Sequence, residues 1–92
     1  MPILLKAKIH GDVQGVGFRF EAARYARELH LAGFTRNERD GTVYIEAQGA
    51  RENVEKFLHW LEHHGPPLAK VTGVEAKFSR DLKNYQEFSV KF

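Results

Sequence analysis

Residues 5–29 have the sequence LKAKIHGDVQGVGFRFEAARYAREL, in which three patterns follow one another. Apolar and polar residues alternate from Leu5 to His10, as in a strand that buries one face. Three glycines then fall within residues 11–17. From Ala22 to Leu29, apolar residues recur at helical spacing among charged ones. The segment therefore predicts a strand, a glycine-rich loop and a helix that ends near Gly33.

A hairpin is predicted directly after this helix. Alternating segments at 34–38 and 42–48 flank Arg39-Asp40-Gly41. An Asp-Gly pair between two strands is typical of a type I′ turn, in which both central residues have positive φ.

A second helix and two further strands complete the predicted elements. An apolar stripe at i, i+3, i+4 and i+7 indicates the helix. The stripe consists of Val54, Phe57, Leu58 and Leu61. Gly65-Pro66-Pro67 is expected to stop this helix, and alternation over 74–78 and 88–92 predicts the strands.

This order of elements is typical of an α+β fold, the ferredoxin-like or split βαβ sandwich. In that fold two helices cover one face of an antiparallel sheet. Here a short extra strand follows at the C-terminus. A chain of 92 residues is expected to form one domain, residues 1–92. The fold hosts many functions and so settles none of them.

Composition excludes several classes of protein. With 42% hydrophobic and 28% charged residues the chain is globular, and without cysteine it has no disulfide, thiolate metal site or cysteine nucleophile. The apolar run at 3–5 is too short for a signal peptide or a membrane span. We expect a cytoplasmic protein with no membrane partner. Fourteen Lys and Arg are spread along the chain among twelve Asp and Glu. The sequence therefore has no basic stripe of the kind that binds nucleic acid, and we expect no nucleic-acid partner.

The loop from Gly11 to Arg19 has the composition of an anion-binding site. Its glycines allow successive N–H groups to converge, and no Ser, Thr, Asp or Asn caps the following helix near 17–20. Arg19 falls where the helix dipole disfavours a cation by about 0.3–1 kcal/mol, and a bound dianion would reverse that conflict. A plain glycine-rich connection with an exposed arginine is the alternative. The loop alone leaves both open.

The loop matches neither of two common phosphate-binding motifs. The nucleotide P-loop needs a Lys-Ser or Lys-Thr pair, and the dinucleotide fingerprint needs a third glycine three residues after the second. Neither is present in residues 11–19. The predicted anion is therefore small and is not a nucleotide.

Two longer motifs resemble the signatures of the acylphosphatase family. The first is Gly11-x-Val13-Gln14-Gly15-Val16-x-Phe18-Arg19, and the second is Gly33-Phe34-Thr35-Arg36-Asn37-x-x-x-Gly41-x-Val43, continuing to Gly49. Length, element order and Pro-Pro-Leu-Ala at 66–69 agree, so the resemblance extends over essentially the whole chain. Thr35 departs from the pattern, because the family usually has a small apolar residue there.

The resemblance implies hydrolysis of an acyl phosphate to a carboxylate and inorganic phosphate, without a metal or another cofactor. By motif position, Arg19 matches the phosphate-binding arginine and Asn37 the asparagine that orients the attacking water. The expected phosphate cradle is the backbone of Val13, Gln14, Gly15, Val16, Gly17 and Phe18, together with Arg19. The expected partners are the small acyl phosphate and phosphate, and the chain is expected to be a monomer. Without the resemblance, an asparagine directly before a turn is far more often a turn former than a catalytic residue.

Three rival interpretations have weaker support. His59-Trp60-Leu61-Glu62-His63 matches a zinc-hydrolase motif, but helical spacing places its histidines opposite the apolar stripe, facing solvent. An RNA-recognition module shares the element order but needs several aromatics on its third strand, where 42–48 offers only Tyr44. An acylphosphatase-like domain also begins the carbamoyltransferases of hydrogenase maturation. Those chains are much longer, so we expect a stand-alone enzyme.

Overall fold

The computed structural model describes residues 1–63, 65 and 67–92, which form five strands and two helices. The elements in chain order are β1 (Pro2–Asp12), α1 (Phe18–Glu28), β2 (Ala32–Asn37), β3 (Val43–Ala50), α2 (Arg51–His63), β4 (Lys70–Ser79) and β5 (Phe88–Lys91). No helix among these residues is long and apolar enough to span a membrane.

The strands form one sheet in the order β4-β1-β3-β2-β5. β1 is antiparallel to both β3 and β4, and β2 is antiparallel to β3. The predicted α+β, ferredoxin-like class is confirmed. The sheet is mixed rather than antiparallel throughout, because β5 pairs in parallel with β2. The connection at 80–87 reverses the chain after β4 and carries it to the opposite edge, where it arrives in the direction of β2.

One face of the sheet forms the core with both helices. Leu5, Ala7 and Ile9 of β1 lie opposite Ala47, Ile45 and Val43 of β3 in the antiparallel register. All six are buried together with the apolar faces of the helices. Those faces consist of Phe18, Ala22, Ala23 and Ala26 of α1 and Val54, Phe57 and Leu61 of α2. The predicted alternation of β1 and the apolar stripe of α2 are confirmed. The alternation predicted over 88–92 fails at its last residue, because β5 ends at Lys91 and Phe92 is exposed.

Helix α1 ends earlier than predicted. Its last residue is Glu28, and the chain turns away at His30, which has a positive φ of 58°. Gly33 lies within β2, where a Cβ atom would stand 1.9 Å from the carbonyl oxygen of Glu46. The glycine is thus needed for close approach of two strands and not for stopping the helix.

The hairpin between β2 and β3 is wider than the predicted type I′ turn. Glu38 N–H donates to the Thr42 carbonyl (2.8 Å) and Gly41 N–H donates to the Glu38 carbonyl (3.2 Å). Only Gly41 has positive φ here, at 92°. This is the pattern of a three-residue loop that ends in a left-handed glycine. Asp40 stabilises it by accepting hydrogen bonds from Thr42 N–H (3.0 Å) and Oγ1 (2.6 Å).

Three further positions depart from simple expectation. β4 is an edge strand, so Phe78 on its predicted inner face is 45% exposed. Thr35 is fully buried between Ile45 and Val90, and its hydroxyl has no hydrogen-bond partner among the described residues. Of the predicted stop after α2, Pro66 lies outside the described residues, while Gly65 has positive φ and its N–H donates to the Trp60 carbonyl.

Candidate active site

The loop after β1, the start of α1 and the last residue of β2 line a pocket of about 210 Å³. The two strands run in the same direction because both are antiparallel to β3, which lies between them. The topology therefore brings the loop after β1 close to the last residue of β2. The pocket is lined by Val13, Gly15, Gly17, Phe18, Arg19, Phe20 and Asn37.

The loop after β1 presents backbone to this pocket. Gly15 and Gly17 have positive φ, 74° and 77°, and a Cβ atom at either would meet nothing within 4 Å. Glycine is thus needed there for its conformation and not for space. The side chains of Val13 and Phe18 are almost fully buried in the core. What these two residues can offer a ligand is therefore mainly their main-chain N–H groups.

The start of α1 also faces this pocket. Gly17 is the residue before the helix, and no side chain caps the helix there. Glu21 N–H makes the first intrahelical bond, to the Gly17 carbonyl at 3.1 Å. The N–H groups of residues 18–20 have no acceptor within the helix, and the positive end of its dipole lies with them. This arrangement favours an anion.

Arg19 lies in the first turn of α1 and is held by the C-terminus of the chain. Its Nη1 donates to the Lys91 carbonyl at 2.7 Å, and its guanidinium carbon lies 4.8 Å from the centre of the Phe92 ring. Arg24 in the same helix is paired with Glu21 and Glu28. Arg19 has no carboxylate partner within 4 Å among the described residues. Its charge is therefore not neutralised by the protein.

Asn37 is the last residue of β2. Its side-chain oxygen, Oδ1, is buried and has no hydrogen-bond partner among the described residues. The hydrogen bonds that stabilise the following turn are made instead by Asp40. The structure thus gives the turn-forming role to Asp40 rather than to Asn37. Asn37 lines the pocket, and the hydrogen-bonding capacity of its buried amide oxygen is not used by any described residue.

The electrostatics of the pocket depend on one cation. Among the described lining residues Arg19 is the only one with an ionisable side chain, so no carboxyl or imidazole group lines the pocket. The nearby hairpin carries Asp40, whose pKa is held below its usual range by hydrogen bonds from Thr42 and Lys8 and by the Lys8 charge. Lys8 Nζ lies 2.9 Å from Asp40 Oδ2. Asp40 therefore remains an engaged carboxylate and not a proton donor.

Only some of the predicted loop residues line the pocket. Gln14 and Val16 do not line the pocket. Val16 packs against the core, and the Gln14 side chain donates to the hairpin carbonyls of Glu38 and Thr42. Conversely, Phe20 lines the pocket and was not predicted. Its position in the first turn after the glycine loop was the signal that could have indicated it.

The predicted solvent-facing position of the motif histidines is confirmed. His59 and His63 are exposed on α2, with ring centres 4.5 Å apart. Within residues 1–63, 65 and 67–92, no group of three or more His, Asp or Glu side chains is arranged to hold a metal ion.

Comparison with known proteins gives a consistent result. A family model described as Acylphosphatase matches residues 5–90. An acylphosphatase of Archaeoglobus fulgidus is 46% identical over 90 residues, which are 98% of this chain and 99% of that protein. The crystal structure of acylphosphatase from Bacillus subtilis superposes with a TM-score of 0.94 at 33% identity, covering 98% of this chain and 99% of that one.

The structure of HypF from Thermococcus kodakarensis also matches, with a TM-score of 0.82 and 32% identity. The match covers 96% of this chain but only 12% of that one. The same fold thus occurs both as nearly the whole of the A. fulgidus and B. subtilis proteins and as a small part of a longer protein. The chain belongs to the acylphosphatase family, whose enzymes hydrolyse acyl phosphates.

Proposed function

We propose that residues 1–92 act as a single, monomeric, cytoplasmic domain that hydrolyses a small acyl phosphate without a metal ion and binds neither nucleic acid nor a membrane. Arg19 and the loop backbone from Val13 to Phe18 bind the phosphoryl group, and Asn37 orients the attacking water. The observation that carries this proposal is one pocket that combines an uncapped helix start, an arginine without a carboxylate partner and a buried amide oxygen without a partner.

The phosphoryl group is bound by positive charge and N–H donors. Main-chain N–H groups at the start of α1 approach its oxygens, and the planar guanidinium of Arg19 offers two parallel donors. One of the guanidinium N–H groups is already used on the Lys91 carbonyl, which limits how the side chain can turn. Phosphoryl transfer demands mainly positioning and stabilisation of charge on the equatorial oxygens. This pocket supplies both.

Asn37 orients the water and does not remove its proton. A carboxamide is no base at neutral pH, but its Oδ1 accepts one hydrogen of the water and so directs a lone pair towards phosphorus. The water oxygen bonds to phosphorus while the bond from phosphorus to the acyl oxygen breaks, and that electron pair leaves with the carboxylate. The proton lost by the water is taken by an oxygen of the substrate phosphate.

The leaving group explains why so simple a pocket suffices. A carboxylic acid has a pKa of about 4, so the carboxylate departs without a general acid. The alkoxide released from a phosphate monoester is a far poorer leaving group and would need one. No described lining residue is an acid that could serve. We therefore expect acyl phosphates to be cleaved and simple monoesters to be left intact.

Release of inorganic phosphate from acetyl or benzoyl phosphate tests the proposal. We expect release to continue in excess EDTA, because neither Arg19 nor Asn37 needs a cation to act. A phosphate monoester and ATP, as controls, should release none. The His59→Ala variant should retain activity. Activity that is lost in EDTA and restored by zinc would overturn the proposal in favour of the His59 and His63 motif.

A further inference from the structure

The Gln14 side chain joins the loop of residues 13–18, the proposed phosphate loop, to the hairpin that follows β2. Its Nε2 donates one hydrogen bond to the Glu38 carbonyl and one to the Thr42 carbonyl, each 2.8 Å long. These two carbonyls stand on opposite sides of the hairpin turn. A single amide group therefore spans the mouth of the turn.

The chemistry of this contact is specific for an amide donor. Each carbonyl already accepts one main-chain hydrogen bond, from Gly41 N–H at Glu38 and from Glu38 N–H at Thr42. The two hydrogens of the Gln14 amide occupy the second lone pair of each oxygen. A carboxylate of the same shape would place negative charge against two carbonyl dipoles and could donate nothing.

The loop has little other polar attachment. Among the described residues, no backbone hydrogen bond outside the helices and strands involves residues 13–16. Val13 fixes the loop from the core side by burial, and Gln14 fixes it from the hairpin side. The relative position of loop and hairpin therefore depends on this amide.

Asn37 immediately precedes Glu38, one of the two residues whose carbonyl accepts a hydrogen bond from the Gln14 amide. We propose that the Gln14 side chain is a positioning residue, which holds the phosphate loop and the water-orienting Asn37 at a constant separation. The side chain acts through Asn37, because its amide is engaged on the hairpin carbonyls and not in the pocket. This inference rests on the proposed roles of the loop and Asn37.

The first test is the kinetics of Gln14→Ala on acetyl phosphate. We expect kcat to fall ~10- to 100-fold, the range reached when reacting groups are misplaced by about 1 Å. The Kd of inorganic phosphate should change by much less, because the helix start and Arg19 are unaltered. Unchanged kcat, or an equal loss in kcat and in phosphate affinity, would overturn the proposal.

The second test is the pH profile of Gln14→Glu. As a carboxylate, this side chain should be at least as damaging as alanine, whereas the protonated acid regains one donor. The activity of Gln14→Glu relative to Gln14→Ala should therefore rise as the pH falls. Neighbouring charges on the hairpin are already paired, Glu38 with Arg36 and Asp40 with Lys8, and they are common to both variants. A ratio that does not change with pH would contradict the proposed donor role.

Gln48 offers a matched control. Its side chain also makes two hydrogen bonds to backbone, donating to the Lys83 carbonyl (2.9 Å) and accepting from Lys83 N–H (2.7 Å), but it does not line the pocket. Gln48→Ala should lower the melting temperature and leave kcat unchanged. If Gln14→Ala behaves in the same way, or if neither Gln14 variant folds, the role of Gln14 is purely structural and the inference fails. Absence of phosphate release by the unsubstituted chain would instead refute the proposed function.

Discussion

Arg19 is placed where a positive charge is unfavourable until an anion arrives. It lies in the first turn of α1, where the helix dipole opposes a cation by about 0.3–1 kcal/mol. It has no carboxylate partner among the described residues, and its guanidinium donates a hydrogen bond to the Lys91 carbonyl. A phosphoryl dianion would satisfy both the guanidinium and the uncapped helix start at once.

Replacing Arg19 with lysine separates charge from geometry. Arg19→Lys keeps the charge but loses the planar pair of donors, so we expect a higher KM and a kcat lowered by at least ~10²-fold, as when one transition-state donor is removed. The protein should still fold, because the side chain is only half-buried. Steady-state kinetics on acetyl phosphate measure this effect. Arg24→Lys, in the same helix but outside the pocket, is the control and should leave the kinetics unchanged. If Arg19→Lys also stays within a few-fold of the parent, the phosphate-binding role proposed for Arg19 is wrong.

At the scale of elements, Glu46 of β3 holds the segment 80–87 against the face of the sheet opposite the helices. Glu46 is only 4% exposed and accepts hydrogen bonds from Tyr44 Oη (2.6 Å), Lys83 Nζ (2.9 Å) and the Tyr85 hydroxyl. Burial alone would raise the pKa of Glu46, but these three donors outweigh it and lower the pKa to about 2. This carboxylate network holds in place the connection that delivers β5 to the edge of β2.

The lowered pKa of Glu46 predicts a specific loss of stability in acid. Because the pKa falls from 4.5 to about 2 on folding, Glu46 contributes stability above pH 4.5 that is lost as the pH falls towards 2. Glu46→Gln should be less stable at pH 7 by about 1–3 kcal/mol and should show a flatter dependence between those limits. Denaturant unfolding at several pH values measures this. Glu55→Gln is the control, because Glu55 forms only an exposed ion pair with Arg51, 3.6 Å long, and its stability should resemble that of the parent. A plot of stability against pH for Glu46→Gln that runs parallel to that of the parent would contradict this prediction.

Elements were predictable where their signal is local. The stripe of Val54, Phe57 and Leu61 predicts the buried face of α2, and alternation predicts β1 and β3. Two predictions, the end of α1 and the type of turn after β2, were wrong because glycine occurs in more than one local structure. Gly33 resembles a helix stop but allows two strands to approach closely, and Asp40-Gly41 resembles a type I′ turn but forms a wider loop.

Contacts between distant parts of the chain could not be predicted. The hydrogen bond from Arg19 to Lys91 joins residues 72 positions apart, and the bonds from Gln14 to Glu38 and Thr42 join residues 24 and 28 apart. No local pattern marks such pairs, because they depend on how β1, β2 and β5 are arranged in the finished sheet. The motifs indicated most of the residues that line the candidate site, though not Phe20, and did not indicate the contacts that hold them in place.

The whole molecule is needed to assemble the pocket. The loop of residues 13–18 follows β1, Asn37 ends β2, and β5 brings the Lys91 carbonyl to Arg19. These parts meet because β1 and β2 run in one direction on either side of β3, with β5 added beside β2. The central claim is that this arrangement divides the work, with the loop and Arg19 binding phosphate and Asn37 directing water.

The most direct test is to titrate inorganic phosphate into Asn37→Ala and to measure kcat on the same sample. We predict that phosphate binds within a few-fold of the parent affinity while kcat falls by ~10²-fold or more, because only the orientation of water is lost. The melting temperature should change little, since Asp40 and not Asn37 stabilises the turn. Phosphate binding lost in step with kcat, or a destabilised protein with full activity per folded molecule, would contradict the division of roles between Arg19 and Asn37.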